Sequence, residues 1–232
     1  MTSRRLPAIC AAAVLLLAGS SAFAEPQIGG VALKDYKGAT GTRPTASARD
    51  LYFNQDVFAG ETVATPANGS TKLRFLDRTE LQVGANSSVV LDRFVYDPNA
   101  RTGDAAIKFG KGIFRFVTGD IKNKDAVKLT TPTASLTIRG TDLKIFVDAD
   151  GATTMQVDEG EAEMTPCGGG NPVRARAGQA LKVSAACDGV KAVGLSGVPS
   201  DPGVDGGGPG GGGGSNNHPG NPPAPRGNNN EG

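Results

Sequence analysis

In the run Leu129-Thr-Thr-Pro-Thr-Ala-Ser-Leu-Thr-Ile-Arg-Gly-Thr-Asp-Leu-Lys-Ile-Phe-Val147, apolar side chains recur at every second position. Ala134, Leu136 and Ile138 share one face, with Ser135, Thr137 and Arg139 on the other. Beyond Gly140, Leu143, Ile145 and Val147 share a face, and Phe146 breaks the alternation. A period of two with β-branched residues predicts two short strands. Gly140 between them predicts a bulge or bend where a Cβ does not fit. Asp148-Ala149-Asp150-Gly151 predicts a tight turn into a further strand, Thr153 to Asp158.

The same pattern extends in both directions. Ile28 to Lys37 reads as strand, and order restarts at Leu51 to Phe58. Leu73 and Phe75 alternate with Lys72 and Arg74; Leu81, Val83, Val89 and Leu91 continue the pattern. Asp97 to Asp104 reads as a loop. Ala106 to Phe109 and Ile113 to Val117 then flank a turn at Gly110 and Gly112. Met155 to Val157 and Ala162 to Met164 read as two strands joined at Glu159-Gly160, and Ala180 to Ser184 and Val190 to Val193 close the series. No stretch after the first 24 residues carries a helical period over a dozen residues. The expected fold is all-β: a sandwich, jelly roll or short β-roll of about a dozen short strands.

The two ends read differently. Arg4 and Arg5, an apolar run from Ala8 to Ala18 and the small-residue site Ala22-Phe23-Ala24 predict an export signal over residues 1–24, cleaved before Glu25. The apolar run is about half of the roughly 20 residues that a span needs, so no membrane span is expected. Ser3-Arg4-Arg5 resembles a twin-arginine signal only at its start, which favours general secretion, and the setting of Cys10 speaks against acylation. The expected location is periplasmic or secreted. From Pro199 onward, glycine and proline dominate and Val204 is the only large aliphatic residue. Such a segment cannot offset its ordering entropy by burial. The expected organisation is an N-terminal strand and linker over 25–49, a β domain over 50–195 and a disordered tail over 196–232.

Charge and chemistry narrow the function. Cleavage removes Arg4 and Arg5 and leaves 22 basic and 23 acidic residues, a net charge of −1. That balance gives no reason to expect nucleic acid as partner. Cys167 and Cys187 are the two cysteines after the signal, and an even pair in an exported chain is read as a disulfide. It would contribute roughly 3 kcal/mol by restricting the unfolded chain. Two cysteines without a nearby histidine do not close a zinc site. The single histidine, His218, falls in the tail, which removes histidine-based catalysis from the folded part. No catalytic residue, cofactor or metal is expected.

Several clusters have a bland and a sharp reading. Asp158, Glu159, Glu161 and Glu163 form either an exposed acidic face or the carboxylate pair of a carbohydrate-active protein. Asp148-x-Asp150-Gly151 is either a hairpin turn or the start of a calcium loop that lacks its third ligand. Lys108 to Lys128 carries five lysines and Arg115, either a solvated stretch or a basic patch for an anionic partner. Arg139, near Asp158 or Glu159, either fixes the bend through an ion pair or backbone hydrogen bonds, or contacts a carboxylate-bearing ligand or partner.

Thr131-Pro132-Thr133-Ala134 running into Ile138-Arg139-Gly140-Thr141 resembles the signature of the FecR periplasmic domain. Gly60 to Thr65, Leu73 to Asp77, Leu81 to Ser87, Gly112 to Gly119, Asp158-Glu159-Gly160 and Ala177-Gly178-Gln179 resemble its other motifs, so the likeness covers about residues 50 to 185. It implies an all-β exported domain with a recognition role, in which Thr131, Pro132, Arg139, Gly140, Thr141 and Gly160 are signature positions. In the family's founding members this domain relays a signal from an outer-membrane transporter through a membrane helix to a sigma factor. Here a cleavable signal stands where the cytoplasmic segment and helix would be. Direct sigma-factor control is therefore not carried over. Where the family has glycine after the aspartate of its Leu-x-Phe-x-Asp strand, this chain has Arg78, which would cost roughly 1 kcal/mol at positive φ. The expected partner is an envelope protein or polymer, of unidentified nature; a structural role in a surface assembly is a further reading.

Overall fold

The computed structural model describes residues 25–34 and 37–198; the predicted export signal over 1–24 and all but the first three residues of the tail predicted over 196–232 lie outside the described residues. Sixteen strands are present in this region. They begin with β1 (Gln27–Val31), β2 (Thr40–Thr42), β3 (Arg49–Asp50), β4 (Asp56–Phe58) and β5 (Glu61–Ala64). The next five are β6 (Thr71–Phe75), β7 (Glu80–Val83), β8 (Ser88–Asp97), β9 (Thr102–Phe109) and β10 (Gly112–Val117). Then come β11 (Val127–Thr130), β12 (Ala134–Val147), β13 (Thr153–Pro166), β14 (Val173–Arg176), β15 (Gln179–Val183) and β16 (Val190–Val193). The all-β expectation holds.

The antiparallel pair β12–β13 organises the fold. Each strand runs for 14 residues, where the sequence pattern predicts two short strands apiece. Alternation breaks at the middle of both, and the reason is a paired bulge: the register shifts between Arg139 and Asp142 and again between Asp142 and Leu143. Gly140 (φ 62°) and Gly160 (φ 77°) occupy the left-handed region there. A Cβ on Gly160 would sit 2.2 Å from the Gly140 carbonyl oxygen, so a side chain is excluded at Gly160; at Gly140, where the sequence predicts exclusion, a Cβ would meet open space and only the positive φ favours glycine.

That bulge carries both strands from one layer into another. The first half of β12 pairs with β11, and the second half of β13 pairs with β14. The second half of β12 pairs instead with β10, and the first half of β13 with β15. One curled sheet thus forms two layers. Layer one runs β3-β2-β5-β8-β9-β11-β12-β13-β14, and layer two runs β4-β1-β6-β7-β10-β12-β13-β15-β16. The inner faces meet through Phe75 against Phe94 and Phe109 against Phe114, with ring centroids 5.1 and 4.8 Å apart. Leu73, Leu81, Leu129, Ile138, Leu143 and Ile145 lie fully buried between the layers. Each such side chain contributes roughly 1.5–3 kcal/mol of burial.

Three local expectations are corrected. β1 ends at Val31 rather than reaching Lys37, which forms an isolated β-bridge with Ser70. Asp97 to Asp104 is a tight hairpin in which only residues 98–101 are turn: Val95 to Asp97 lie opposite Thr102 to Asp104, too exposed to show apolar alternation. Phe146 is buried without joining the main core, opposite Ile113 and Thr154 on the outer side of layer two. That explains the broken period.

Candidate functional site

Thr131, Pro132 and Thr133 close the turn between β11 and β12 against the Asp148–Gly151 hairpin. The Thr133 hydroxyl donates to the Gly151 carbonyl (2.9 Å), the Thr153 hydroxyl to Thr131 Oγ1 (2.8 Å), and the Thr131 hydroxyl to the Ala134 carbonyl (3.2 Å). A Cβ added at Gly151 would come within 3.3 Å of the Pro132 ring. In the hairpin turn itself, the Gly151 N–H donates to the Asp148 carbonyl and the Ala152 N–H to Asp150 Oδ1. Among the described residues no three His, Cys, Asp or Glu side chains gather as a metal site. Thr141 is buried and its N–H donates to Thr118 Oγ1 (3.0 Å). Thr141 serves the bulge corner, and Thr131 to Thr133 tie the start of β12 to the hairpin that follows it.

Arg139 does neither. The bulge sets it opposite Glu161 instead of Asp158 or Glu159, on the exposed outer face of layer one. Glu161 is held by Arg174 (3.2 Å) and Arg176 (3.4 Å). Glu163 accepts from Arg174 Nε at 3.0 Å. That hydrogen bond, followed by the charge of Glu161, pushes the Arg174 guanidinium above its ordinary range. Among the described residues no ion pair or side-chain hydrogen bond engages the Arg139 guanidinium.

Around Arg139 the strand registers align a broad polar face. One row across the strands is Arg93, Ala106, Lys128, Thr137, Glu163 and Arg174. The next row holds Lys108, Thr130, Ser135 and Thr165. Asp92, Arg93, Ala106, Lys108, Lys128 and Thr130 line a shallow depression of about 450 Å³. Within it Lys108 pairs with Asp92 (3.0 Å) and Arg93 with Asp104 (2.6 Å). Lys128 is exposed and, among the described residues, has no carboxylate partner. The basic run predicted from Lys108 to Lys128 is thereby split: Lys108 and Lys128 face this depression, whereas Arg115 lies in layer two on Asp142.

The acidic cluster is split by the same bulge. Glu161 and Glu163 lie on the outer face of layer one with Ala162 and Met164 inward, as alternation predicts. Asp158 is in the layer-two half of β13, where Gln156 donates to it (2.6 Å) and Lys144 pairs with it (3.1 Å). Glu159 is exposed at the corner. Each carboxylate apart from Glu159 is held by a cation, and the four do not converge in a groove.

Two features escaped the sequence reading. Glu61 is fully buried, accepting from Arg49 Nη2 (2.9 Å) and the Phe58 N–H (3.0 Å). It shares the inward phase of β5 with Val63, and an acid in that phase was the available signal. Asp120 draws three loops together: it pairs with Arg78 and Arg101, and its N–H donates to the Asp77 carbonyl (2.8 Å). The Arg78 hydrogen bond holds the Asp120 carboxyl below the usual carboxylate range, against an opposing effect of desolvation. Arg78 has φ 68°, so it occupies the left-handed conformation suited to glycine and gains an ion pair there. Cys167 and Cys187 are joined by a disulfide, with Cα atoms 5.7 Å apart.

A family model described as FecR protein matches residues 61–163. No curated protein matches the chain. Among solved structures, two of a candidate anti-sigma factor from Parabacteroides distasonis are similar at 11% identity and a TM-score of 0.44. In each case the likeness covers 61% of this chain and 61% of that one.

Proposed function

From the match of residues 61–163 to the FecR family model, we propose that this chain is an exported, non-catalytic recognition module in envelope signalling. Its partner is an envelope protein or polymer, and the contact surface is the outer face of layer one around Arg139. The observation that carries this reading is the contrast within one motif: Thr131 and Pro132 brace the Asp148–Gly151 hairpin and Gly140, Thr141 and Gly160 build the bulge corner, whereas Arg139 is exposed without an ion-pair partner among the described residues. A disulfide fits a periplasmic or secreted location, because such bonds persist in oxidising compartments. Among the described residues no helix is long and apolar enough to cross a membrane.

A carbohydrate-active reading would need two carboxyl groups facing one groove. The bulge assigns Asp158 and Glu161 to different layers, and each is engaged by a cation. Recognition without bond-breaking is the better account. Crosslinking in intact cells, with the native chain and with Arg139→Glu side by side, tests it. A discrete crosslinked species that the substitution abolishes supports the reading; no species, or one indifferent to the substitution, contradicts it.

A further inference from the structure

We infer that the outer face of layer one binds an acidic polysaccharide, with Lys128 and Arg139 as its carboxylate contacts. The inference rests on the recognition reading above and names the class of partner for the same face. Its starting point is charge. Asp92 neutralises Lys108, Asp104 neutralises Arg93, and Glu161 and Glu163 face Arg174 and Arg176. Lys128 and Arg139 remain as two exposed cations without a carboxylate among the described residues. Lys128 lies opposite Thr137, two residues along β12 from Arg139. Strand spacing and rise then set their Cα atoms about 8 Å apart on one face.

The geometry of the face decides between kinds of anion. β9, β11 and β12 are each paired on both sides, so none offers a free edge to an extended peptide. Main-chain pairing, which gives strand-adding peptides their affinity, is closed here. Recognition must come from side chains alone. Besides the two cations, the face presents the hydroxyls of Thr130, Ser135 and Thr137, which can exchange hydrogen bonds with sugar hydroxyls, above a flat floor at Ala106. The depression is shallow and open, unlike the closed pocket that holds a small ligand.

Magnitude points to a polymer. An exposed ion pair improves binding by about fivefold at most, so two fall far short of holding a single sugar acid at millimolar concentration. A chain carrying carboxylates at regular intervals gains by repetition, since one contact raises the effective concentration of the next.

The test is affinity electrophoresis of the exported chain through gels containing polygalacturonate, poly-L-glutamate at equal charge, or neutral dextran. The expected result is retardation by polygalacturonate that weakens as salt rises, with at least tenfold lower affinity for Lys128→Ala/Arg139→Ala. Lys191→Ala, at an exposed cation paired only with Asp188, is the control and should leave affinity unchanged. The inference is overturned if the double variant is retarded as strongly as the native chain. It is equally overturned if poly-L-glutamate is held as tightly as polygalacturonate, or if no polymer is held. Failure of every polymer while the intact-cell crosslink survives removes this inference alone; failure of both removes the recognition reading with it.

Discussion

The strand β12 presents charges in two settings, and their difference separates scaffold from the proposed contact surface. In its layer-two half, Asp142 receives the Arg115 guanidinium at 3.0 and 2.6 Å, and Lys144 pairs with Asp158. In its layer-one half, Arg139 stands exposed, next to Lys128 on β11, and neither meets a carboxylate among the described residues. A few residues of one strand therefore contain both a neutralised lattice of charges and an open cationic surface. The separator is the bulge at Gly140 and Gly160, which turns successive side chains toward different layers. On β12 itself, Asp142 and Lys144 beyond the bulge are paired, whereas Arg139 before it is not among the described residues.

Removing the separator should have the largest effect. Gly160→Ala adds a Cβ 2.2 Å from the Gly140 carbonyl oxygen at φ 77°. We expect a loss of about 3 kcal/mol or more, from left-handed strain plus displacement of a neighbouring backbone. Chemical denaturation with urea would measure it, and a loss under 1 kcal/mol would mean the two strands can separate at the corner at little cost. Smaller is the effect of breaking the neutralised side. Asp142→Ala leaves Arg115, two-thirds buried, without its bidentate partner and should cost about 2 kcal/mol by the same assay. Smaller again is the open side: Lys128→Ala/Arg139→Ala should change stability by no more than about 0.5 kcal/mol per site, because no partner is lost. Equal costs at Asp142 and Arg139 would erase the contrast between the halves.

The smallest effect concerns pH. Asp120 has its folded pKa depressed, chiefly by Arg78, so the stability it contributes is present above the ordinary carboxylate value and is lost as pH falls through the lower, folded one. Amide exchange in the loops at Arg78, Arg101 and Asp120 should therefore stay slow through mildly acid conditions and quicken only below the usual aspartate range. Quickening between pH 5 and 6 would contradict the assignment.

Much of the scaffold was legible in the chain itself. Period-two alternation identified the strands around Ile138 and Ile145, and the glycine between them marked the bulge. Asp148 to Gly151 read as a hairpin turn, and the cysteine pair as a disulfide. These are local signals, each contained within a few residues. Continuity of β12 and β13 through their glycines was not legible, because alternation fails on both sides of a bulge whether or not the strand resumes. The parallel pairing of β9 with β11 around the intervening β10 depends on sheet curl, which no short window contains. Arg139 was singled out as a contact, but its freedom from Asp158 and Glu159 required the register. Lys128 was read only as one member of a basic run, since the carboxylates that neutralise its fellows come from other strands.

The most direct test compares two positions on the central pair that differ in outer face. A photoreactive side chain at Thr137, on layer one, and at Gln156, on layer two, should be installed in the full-length chain and irradiated in intact cells. The account predicts crosslinks to an envelope component from position 137 and none from position 156. Crosslinks from position 156 alone, or equally from both, would contradict it.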